Sequence, residues 1–218
     1  MNNDISEKII DYIKRNRIST TEVADALGKK GALEGVCPVN QGKHRVGKVC
    51  AAVAVEGSNY FVHEKISKLS KDDVFLITTA GFSGESVIGD LISRSALLYS
   101  GASAIVVDGN VRDYARLIRE DYAIWCKGRN PVGATNSLKG QNQASPHEGG
   151  IAVCDDGGVV VIPKEQVNSE FLNKLILIEK QEDIWYFCLN TLKWSTFDIV
   201  CLQRYKKDFG ELPSTLQE

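Results

Sequence analysis

The sequence predicts an α/β fold built around a parallel sheet, with helical segments at both ends of the chain. Two patterns of a buried strand support this prediction, at residues 73–79 (DVFLITT) and 103–107 (SAIVV). Between them lie a glycine-rich loop and a helical pattern, LISRSALLYSG, that ends at Gly101. An alternation of strand, loop, helix and strand is typical of parallel βαβ units, in which ligands bind beyond the carboxyl ends of the strands.

The N-terminal part predicts two helices, a strand and a third helix. Apolar residues at positions 5, 9, 10 and 13 have helical spacing. Ser19 and Glu22 fit a capping box at the start of a short second helix, which Gly28 can close. Residues 47–55 (GKVCAAVAV) are small and apolar, as in a packed strand, and residues 59–69 resemble a helix.

The strand that ends at Val107 is expected to be broken by Asp108-Gly109. The later elements alternate between strand and helix: a helix at 114–120, a strand at 123–126, a loop-rich run at 128–150, a strand at 159–162 and a helix at 169–182. The glycine-rich loop (residues 80–90) and the Arg112-Asp113 pair both follow strands. They are therefore candidates to face one another.

The composition is that of a soluble globular protein, with 43% hydrophobic residues, 25% charged residues and a formal net charge of −2. This charge argues against a general nucleic-acid binder. The charged N-terminus is unlike a signal peptide, and no apolar run reaches the ~20 residues of a membrane span. The six cysteines form no CxxC pair, which indicates reduced thiols. We therefore expect a cytoplasmic protein without a membrane partner.

Both loops contain residues that could bind an anion and a cation. The free backbone amides at the predicted helix start, Gly89 to Ile92, could hold a carboxylate or phosphate, although a simple strand–helix turn would have the same pattern. Arg112 could hold a carboxylate through two parallel hydrogen bonds, and Asp113 could hold a divalent cation. A 2-oxo acid needs both groups, whereas a surface ion pair or a turn is the alternative interpretation of Arg112-Asp113.

A series of motifs resembles a known family. In chain order the motifs are ISTTEVADALG, VGKVCAAVAV, GDLI, GASAIVVDGNVRD, CKGRNPVGA and DDGGVVVIP, and they lie within residues 18–163. Their order and spacing resemble the family named after the regulator of ribonuclease E activity A, the RraA-like family, which includes 4-hydroxy-4-methyl-2-oxoglutarate aldolases. The segment VVDGNVRD is the strongest single motif of the resemblance.

The resemblance implies a swivelling β/β/α domain at residues 1–163, followed by a helical extension at residues 164–218. It also implies a homotrimer or hexamer with its sites between subunits. The activity would be that of a class II pyruvate aldolase, which cleaves 4-hydroxy-2-oxo acids to pyruvate and also has the means to decarboxylate oxaloacetate. The non-catalytic regulators of ribonuclease E are the alternative within the same family, and they tend to lack the aspartate that this chain has in its Arg-Asp pair.

The site residues follow from the same resemblance. Arg112 would bind the substrate carboxylate, and Asp113 would hold Mg²⁺ or Mn²⁺ largely through water. Asp90 matches the acidic position before the first helical turn and would join Arg112 as a catalytic residue. The amides of Gly89, Asp90, Leu91 and Ile92 would complete the substrate-binding site.

The chain departs from the family pattern in two places. Asp90 and Arg112 have 21 residues between them, one more than is usual in the family, and the extra residue is expected within LLYSGAS. The segment EGGIAVCDDGGVVV also lacks the longer connection of the family, so a strand and turn are expected to be missing or abbreviated. Glu179 and Glu182 are candidates for the glutamate that a neighbouring subunit contributes, with helix-surface charge as the alternative.

Several other polar and aromatic residues have simpler interpretations. His147 could act as a base but is expected to be a solvated loop histidine. Lys127 would suit a Schiff-base aldolase, which the metal mechanism implied by the resemblance sets aside. The aromatic residues near the C-terminal end are expected to pack or to contact another subunit: Trp185, Tyr186, Phe187 and Trp194.

Overall fold

The computed structural model describes residues 2–209 and contains one mixed sheet, curved into a nearly closed barrel. Residues 210–218 of the predicted C-terminal extension lie outside the described part. The strands, in chain order, are β1 (Cys37–Pro38), β2 (Arg45–Val55), β3 (Val74–Ala80), β4 (Ser86–Ile88), β5 (Ala104–Val111), β6 (Ile124–Arg129), β7 (Ile151–Asp155) and β8 (Gly158–Ile162). The strand order is β1-β6-β5-β3-β2-β7-β8, and β4 pairs with β5.

The helices lie outside the barrel. They are α1 (Asn2–Asn16), α2 (Thr20–Ala26), α3 (Tyr60–Ile66), α4 (Asp90–Arg94), α5 (Tyr114–Arg119), α6 (Ser169–Asn190) and α7 (Tyr205–Phe209). Two short π-helical segments (Ser95–Tyr99 and Phe197–Cys201) and a 3₁₀ turn (Lys164–Gln166) complete the described elements. Among the described helices, none combines the length and the apolar character needed to cross a membrane.

The predicted parallel units are confirmed. Strands β2, β3, β5 and β6 pair in parallel, with α3, α4 and α5 in the connections between them. The antiparallel hairpin β7–β8 continues the sheet beyond β2. This mixed α/β architecture, with a barrel-like sheet surrounded by helices, is the swivelling β/β/α fold that the resemblance implied.

The barrel is closed by residues 31–39, which include β1 and bridge β6 and β8. The backbone of this segment pairs with β8 through Ala32 and Val160, and the N–H of Leu33 donates to the carbonyl of Val159 at 2.9 Å. Further along, the N–H of Val39 donates to the carbonyl of Ile124 in β6 at 2.8 Å. Because the segment satisfies backbone groups of both β6 and β8, little of the edge of either strand is left unpaired.

Alternating side chains divide the core into an interior and two outer layers. On β3, Leu76 points into the barrel, whereas Phe75 points outward against the layer formed by α3, α4 and α5. Trp125 fills the barrel interior, and its indole N–H donates to the carbonyl of Asp155 at 2.7 Å. On the opposite outer face, α1, α2 and the first half of α6 pack against β7 and β8, with Phe171 and Leu175 buried there.

The predicted break at Asp108-Gly109 is wrong, because β5 continues to Val111. The two residues instead form an irregularity in the pairing with β6: Val107 faces Cys126, whereas Asn110 faces Gly128. Strand β5 therefore has one residue more than its partner, as in a β-bulge. The neighbouring strands pair with β5 on both sides of the bulge and keep it extended, an effect that the local sequence pattern does not contain.

The two departures from the family pattern have simple structural forms. The helix after Asp90 changes from α to π at Ser95–Tyr99, which overlaps the expected position of the extra residue. A π-helix closes its hydrogen bonds one residue later than an α-helix, so it accommodates an insertion without moving the helix start. The segment EGGIAVCDDGGVVV forms both strands of the β7–β8 hairpin, of which only the second was predicted.

The C-terminal region contains a second, smaller apolar cluster. The helix α6 extends to Asn190, well beyond the predicted end at residue 182. Its second half packs Trp185 and Cys188 against Ile199, Tyr205 and Trp194. The proposed division of the chain at residue 163 stays a prediction, because the first half of α6 packs on the barrel and the second half forms this separate cluster.

Candidate functional site

A small pocket lies where β4 ends, α4 begins and β5 ends, with the first turn of α3 as its other wall. Its volume is about 90 Å³. It is lined by Asn59, His63, Ser86, Val87, Ile88, Gly89, Leu91, Ile92, Arg112, Asp113, Ala134 and Asn136. Of the six residues predicted for the site, the structure therefore brings five together here, and Asp90 is the exception.

Arg112 is anchored through its backbone, and two glycines leave the space that its side chain occupies. Its N–H donates to the carbonyl of Ile88 at 2.9 Å, which ties the end of β5 to the end of β4. A Cβ atom at Gly133 would overlap the guanidinium of Arg112, and one at Gly89 would come within 2.9 Å of its side-chain carbons. Within residues 2–209 the guanidinium makes no ion pair or hydrogen bond, so its charge and donors are available to a ligand.

Asp113 begins α5 in the left-handed backbone conformation, with a φ of 56°. This conformation is uncommon for a residue other than glycine. Its carboxylate oxygen Oδ2 accepts a hydrogen bond from the N–H of Asp90 at 3.1 Å, so the carboxylate faces the start of α4. The side chain is exposed, and no described residue donates to its other oxygen. Asp113 can therefore contact a cation while it keeps the α4 amide.

Asp90 lies beside the pocket, where its amide donates to Asp113 and its carboxylate points elsewhere. The carboxylate oxygen Oδ2 lies 3.2 Å from Nη1 of Arg116 and 4.0 Å from Nε of Arg94. The side chain is buried, with 9% of the residue exposed. The structure thus places the predicted catalytic carboxylate against two arginines outside the pocket lining, and its catalytic role stays a prediction.

The wall formed by α3 was not predicted from the sequence. Asn59 precedes this helix and His63 lies four residues later, so both face the same side. The Nδ2 group of Asn59 donates to the carbonyl of Val87 at 2.9 Å, while Oδ1 is buried without a partner among the described residues. Burial lowers the pKa of His63, which favours its neutral form at pH 7. Their helical spacing was visible in the sequence, but the position of α3 was not.

The residues of this pocket fit a hard divalent cation such as Mg²⁺ or Mn²⁺. No three histidine, cysteine or acidic side chains within residues 2–209 come together as a metal-binding group. Mg²⁺ is commonly bound through one or two carboxylates, with substrate oxygens and water as its other ligands. Asp113 has one free oxygen and an exposed side chain, so it suits that kind of binding. A zinc site would instead use thiols and imidazoles as its ligands.

Other residues singled out from the sequence lie away from this pocket. Lys127 forms an ion pair with Asp108 at 2.5 Å, which occupies its amine. His147 is half-buried rather than fully solvated, and burial lowers its pKa. Glu179 accepts a hydrogen bond from the hydroxyl of Tyr12 in α1, and burial together with the charges of Glu22 and Asp25 in α2 raises the pKa of Glu182. Within one chain, the two glutamates therefore face the helices near the N-terminus.

The aromatic residues near the C-terminal end divide into two groups. Trp185 and Trp194 are half-buried in the C-terminal cluster, where Trp185 contacts Tyr205 edge to face. Tyr186 and Phe187 are exposed. The expected packing role is therefore seen for the two tryptophans, and the expected contact with another subunit stays a prediction for the other two residues.

Comparison with known proteins identifies the family of this chain. The RraA-like family model, described as Aldolase/RraA, matches residues 20–161. The protein DlpA of Legionella pneumophila is 28% identical over 190 residues, which cover 78% of this chain and 30% of DlpA. A Shewanella oneidensis protein named "Putative 4-hydroxy-4-methyl-2-oxoglutarate aldolase" is 28% identical over 121 residues, which cover 53% of this chain and 73% of that protein. The chain thus spans less than a third of DlpA.

A solved structure extends the likeness to the fold. The crystal structure of Streptomyces coelicolor RraAS2, described as an unusual member of the RNase ES inhibitor RraA protein family, superposes with a TM-score of 0.66 at 22% identity. The superposition covers 81% of this chain and 94% of that one. At this identity the likeness shows a shared fold.

Proposed function

The chain belongs to the RraA-like family, and on that premise we propose that it is a divalent-metal-dependent lyase acting on 4-hydroxy-2-oxo acids. It would cleave such acids, of the 4-hydroxy-4-methyl-2-oxoglutarate type, to pyruvate and a second carbonyl compound. The same site would decarboxylate oxaloacetate, because both reactions break a carbon–carbon bond next to a latent enolate. The aldolase name of the Shewanella oneidensis relative supports this proposal.

One observation carries the proposal: Arg112 and Asp113 are neighbours with opposite charges, yet they do not pair with each other within the described chain. The free guanidinium of Arg112 would bind the substrate carboxylate through two parallel hydrogen bonds. The amides at the start of α4, at Leu91 and Ile92, would add donors beside the same substrate group. Asp113 would hold the cation next to the ketone. When bound, that cation supplies a Lewis acid for the negative charge that develops on the ketone oxygen.

The small pocket also fits this class of substrate. A volume of about 90 Å³ admits the pyruvyl end of a 2-oxo acid, while the rest of the substrate would extend towards solvent or a neighbouring subunit. The glycines at 89 and 133 leave no side chain of their own to compete with Arg112 for this space. The pocket therefore favours recognition of the pyruvyl group, with the distal group recognised by residues outside the pocket.

A second candidate function is that of a protein-binding regulator without catalysis. The structural neighbour RraAS2 belongs to a family of RNase ES inhibitors, and this chain has an exposed apolar surface near its C-terminal end that includes Tyr186, Phe197 and Leu202. A regulator would not need the unpaired guanidinium or the carboxylate beside it. Pyruvate release is therefore the observation that separates the two functions.

The experiment that tests the proposal is a pyruvate-release assay with Mg²⁺ on a panel of 4-hydroxy-2-oxo acids and oxaloacetate. We expect release from at least one 4-hydroxy-2-oxo acid and from oxaloacetate, at a rate well above that without protein. Lactate dehydrogenase and NADH report the pyruvate continuously. The absence of release from every member of the panel, with purified and folded protein, would favour the regulator.

We also expect the protein to form a trimer or larger homo-oligomer. Leu98, Tyr99 and Ile118 are exposed apolar residues on the surface of the helices beside the pocket, and Tyr99 is 79% exposed. A contact between subunits would bury this surface. Light scattering after size exclusion should give a mass of at least three chains, and Tyr99→Glu should lower it by placing a charge in the contact.

Tyr186→Glu is the matched control, because it places the same charge on the exposed apolar surface near the C-terminal end. We expect it to leave a contact at Tyr99 intact. A wild-type monomer at micromolar concentration that still releases pyruvate would contradict a site shared between subunits.

A further inference from the structure

The pocket lacks an obvious acceptor for a proton. Retro-aldol cleavage of a 4-hydroxy-2-oxo acid requires a base near the 4-hydroxyl group. Asp113 faces the amide of Asp90 and would hold the cation, while the carboxylate of Asp90 lies against Arg116 outside the pocket. His63 is the remaining titratable side chain among the described residues that line the pocket.

The structure holds the backbone of His63 in place through the residue that precedes its helix. The N–H of Asn59 donates to the carbonyl of Thr135 at 2.9 Å, and its Nδ2 group donates to the carbonyl of Val87 at 2.9 Å. The N–H of His63 in turn donates to the carbonyl of Asn59 at 3.1 Å. The first turn of α3 is therefore tied to two other walls of the pocket, so the side chain of His63 starts from a backbone position that is held in place.

Asn59 also indicates which end of the substrate lies beside α3. Because its Nδ2 group must face the carbonyl of Val87, its carbonyl oxygen Oδ1 is the unpaired atom, in a residue that is only 7% exposed. A buried acceptor without a donor is costly, because it has lost its hydrogen bonds to water. An acceptor favours a hydroxyl and repels a carboxylate. The carboxylate of the substrate therefore belongs at Arg112, and its hydroxyl belongs at α3.

We infer that His63 is the general base that removes the proton from the 4-hydroxyl group of the substrate, an inference that rests on the proposed lyase function. The imidazole nitrogen takes the hydroxyl proton, and the O–H electron pair forms the new carbonyl at C4. The C3–C4 bond breaks, and its electron pair forms the enolate of pyruvate. The proton then returns from the imidazolium, directly or through water, to C3 and completes the methyl group. Atoms and charge balance without any further reactant.

The chemistry of His63 is consistent with this role. Burial lowers its pKa, so the neutral imidazole that can accept a proton is present at pH 7. The side chain remains exposed enough for a substrate in the pocket to reach it. The other two histidines do not line this pocket: His44 contacts the carbonyl of Ile18 at 2.8 Å, and His147 lies in the loop before β7.

The test uses two substrates that form the same enolate by different routes. Oxaloacetate loses carbon dioxide and has no 4-hydroxyl proton to give up, so its decarboxylation does not need this base. We expect His63→Gln to lower kcat for aldol cleavage about a hundredfold, as is typical when a general base is removed. Decarboxylation of oxaloacetate should stay within about twofold of wild type. Thermal melting of the variant checks that it is folded.

His147→Gln is the matched control and should change neither activity, because that histidine lies outside the pocket. His63→Asn gives a second variant with a shorter amide in case glutamine disturbs the fold. Full aldol cleavage by folded His63→Gln, or an equal loss of both activities, overturns the role of His63 while the lyase function stands. If wild type releases pyruvate from neither substrate, the lyase function fails and the inference fails with it.

Discussion

Removal of divalent metal with EDTA is expected to lower pyruvate release from a 4-hydroxy-2-oxo acid to the uncatalysed rate. Added Mg²⁺ or Mn²⁺ should restore it. The reason is that the negative charge of the enolate appears only as the carbon–carbon bond breaks, so the group that stabilises this charge acts on the transition state. The coupled assay with lactate dehydrogenase, run with oxaloacetate as a second substrate, measures the effect. Full activity in chelator, after dialysis against it, would contradict a metal-dependent mechanism.

The matched variant for this prediction is Asp113→Asn. Asparagine keeps an oxygen that can accept the hydrogen bond from the N–H of Asp90, so the start of α4 should remain intact. It removes the negative charge that would hold the cation. We expect kcat to fall about a thousandfold for both substrates, which is at the upper end for the loss of one electrostatic contact to the transition state. Excess Mg²⁺ should restore part of the activity. An unchanged melting temperature would show that the loss of activity comes from the missing charge and not from a disrupted start of α4.

Arg112→Lys is expected to lower kcat/KM several hundredfold, with a higher KM and a lower kcat. Lysine keeps the positive charge but loses the planar pair of donors that grips a carboxylate. Its ammonium group is also free to move in the space beside Gly133, which the guanidinium occupies in the native protein. A misplaced substrate carboxylate would weaken ground-state binding and also misalign the scissile bond. Steady-state kinetics with and without saturating substrate separate the two effects.

Arg119→Lys serves as the control for this substitution. Arg119 is an exposed arginine on α5 whose described partner is Glu120, and it does not line the pocket. We expect its kinetics to match those of wild type. If Arg112→Lys also matches wild type on every substrate that releases pyruvate, then Arg112 belongs to a structural turn and does not bind the substrate.

Much of the fold follows from local pattern, because the information for it lies within short segments. Apolar runs predicted the central parallel strands, and Ser19 with Glu22 predicted a capping box that the structure contains. The glycine-rich loop and the Arg112-Asp113 pair were predicted to face one another because both follow strands, and the carboxyl ends of neighbouring parallel strands meet at one edge of the sheet.

The features that the sequence did not predict depend on partners distant in the chain. The strand β5 passes through Asp108-Gly109 because its neighbours hold it there, although the dipeptide alone favours a turn. The carboxylate of Asp90 turns away from the pocket because it pairs with Arg116, which lies on another helix. His63 reaches the pocket because α3 is tied to β4 through Asn59. None of these contacts has a signature within a short window of sequence.

The segment that closes the barrel, residues 31–39, has a consequence for the order of folding. It lies early in the sequence, whereas its partners β6 and β8 lie much later. Its hydrogen bonds therefore join residues that are far apart in sequence. The chain entropy lost in such long loops must be overcome before the contacts can stabilise anything, which slows folding. The parallel units between β2 and β6 can assemble from neighbouring segments. Until β8 arrives, one edge of the growing sheet stays open to any other extended chain, so the nascent protein is most prone to aggregate in that interval.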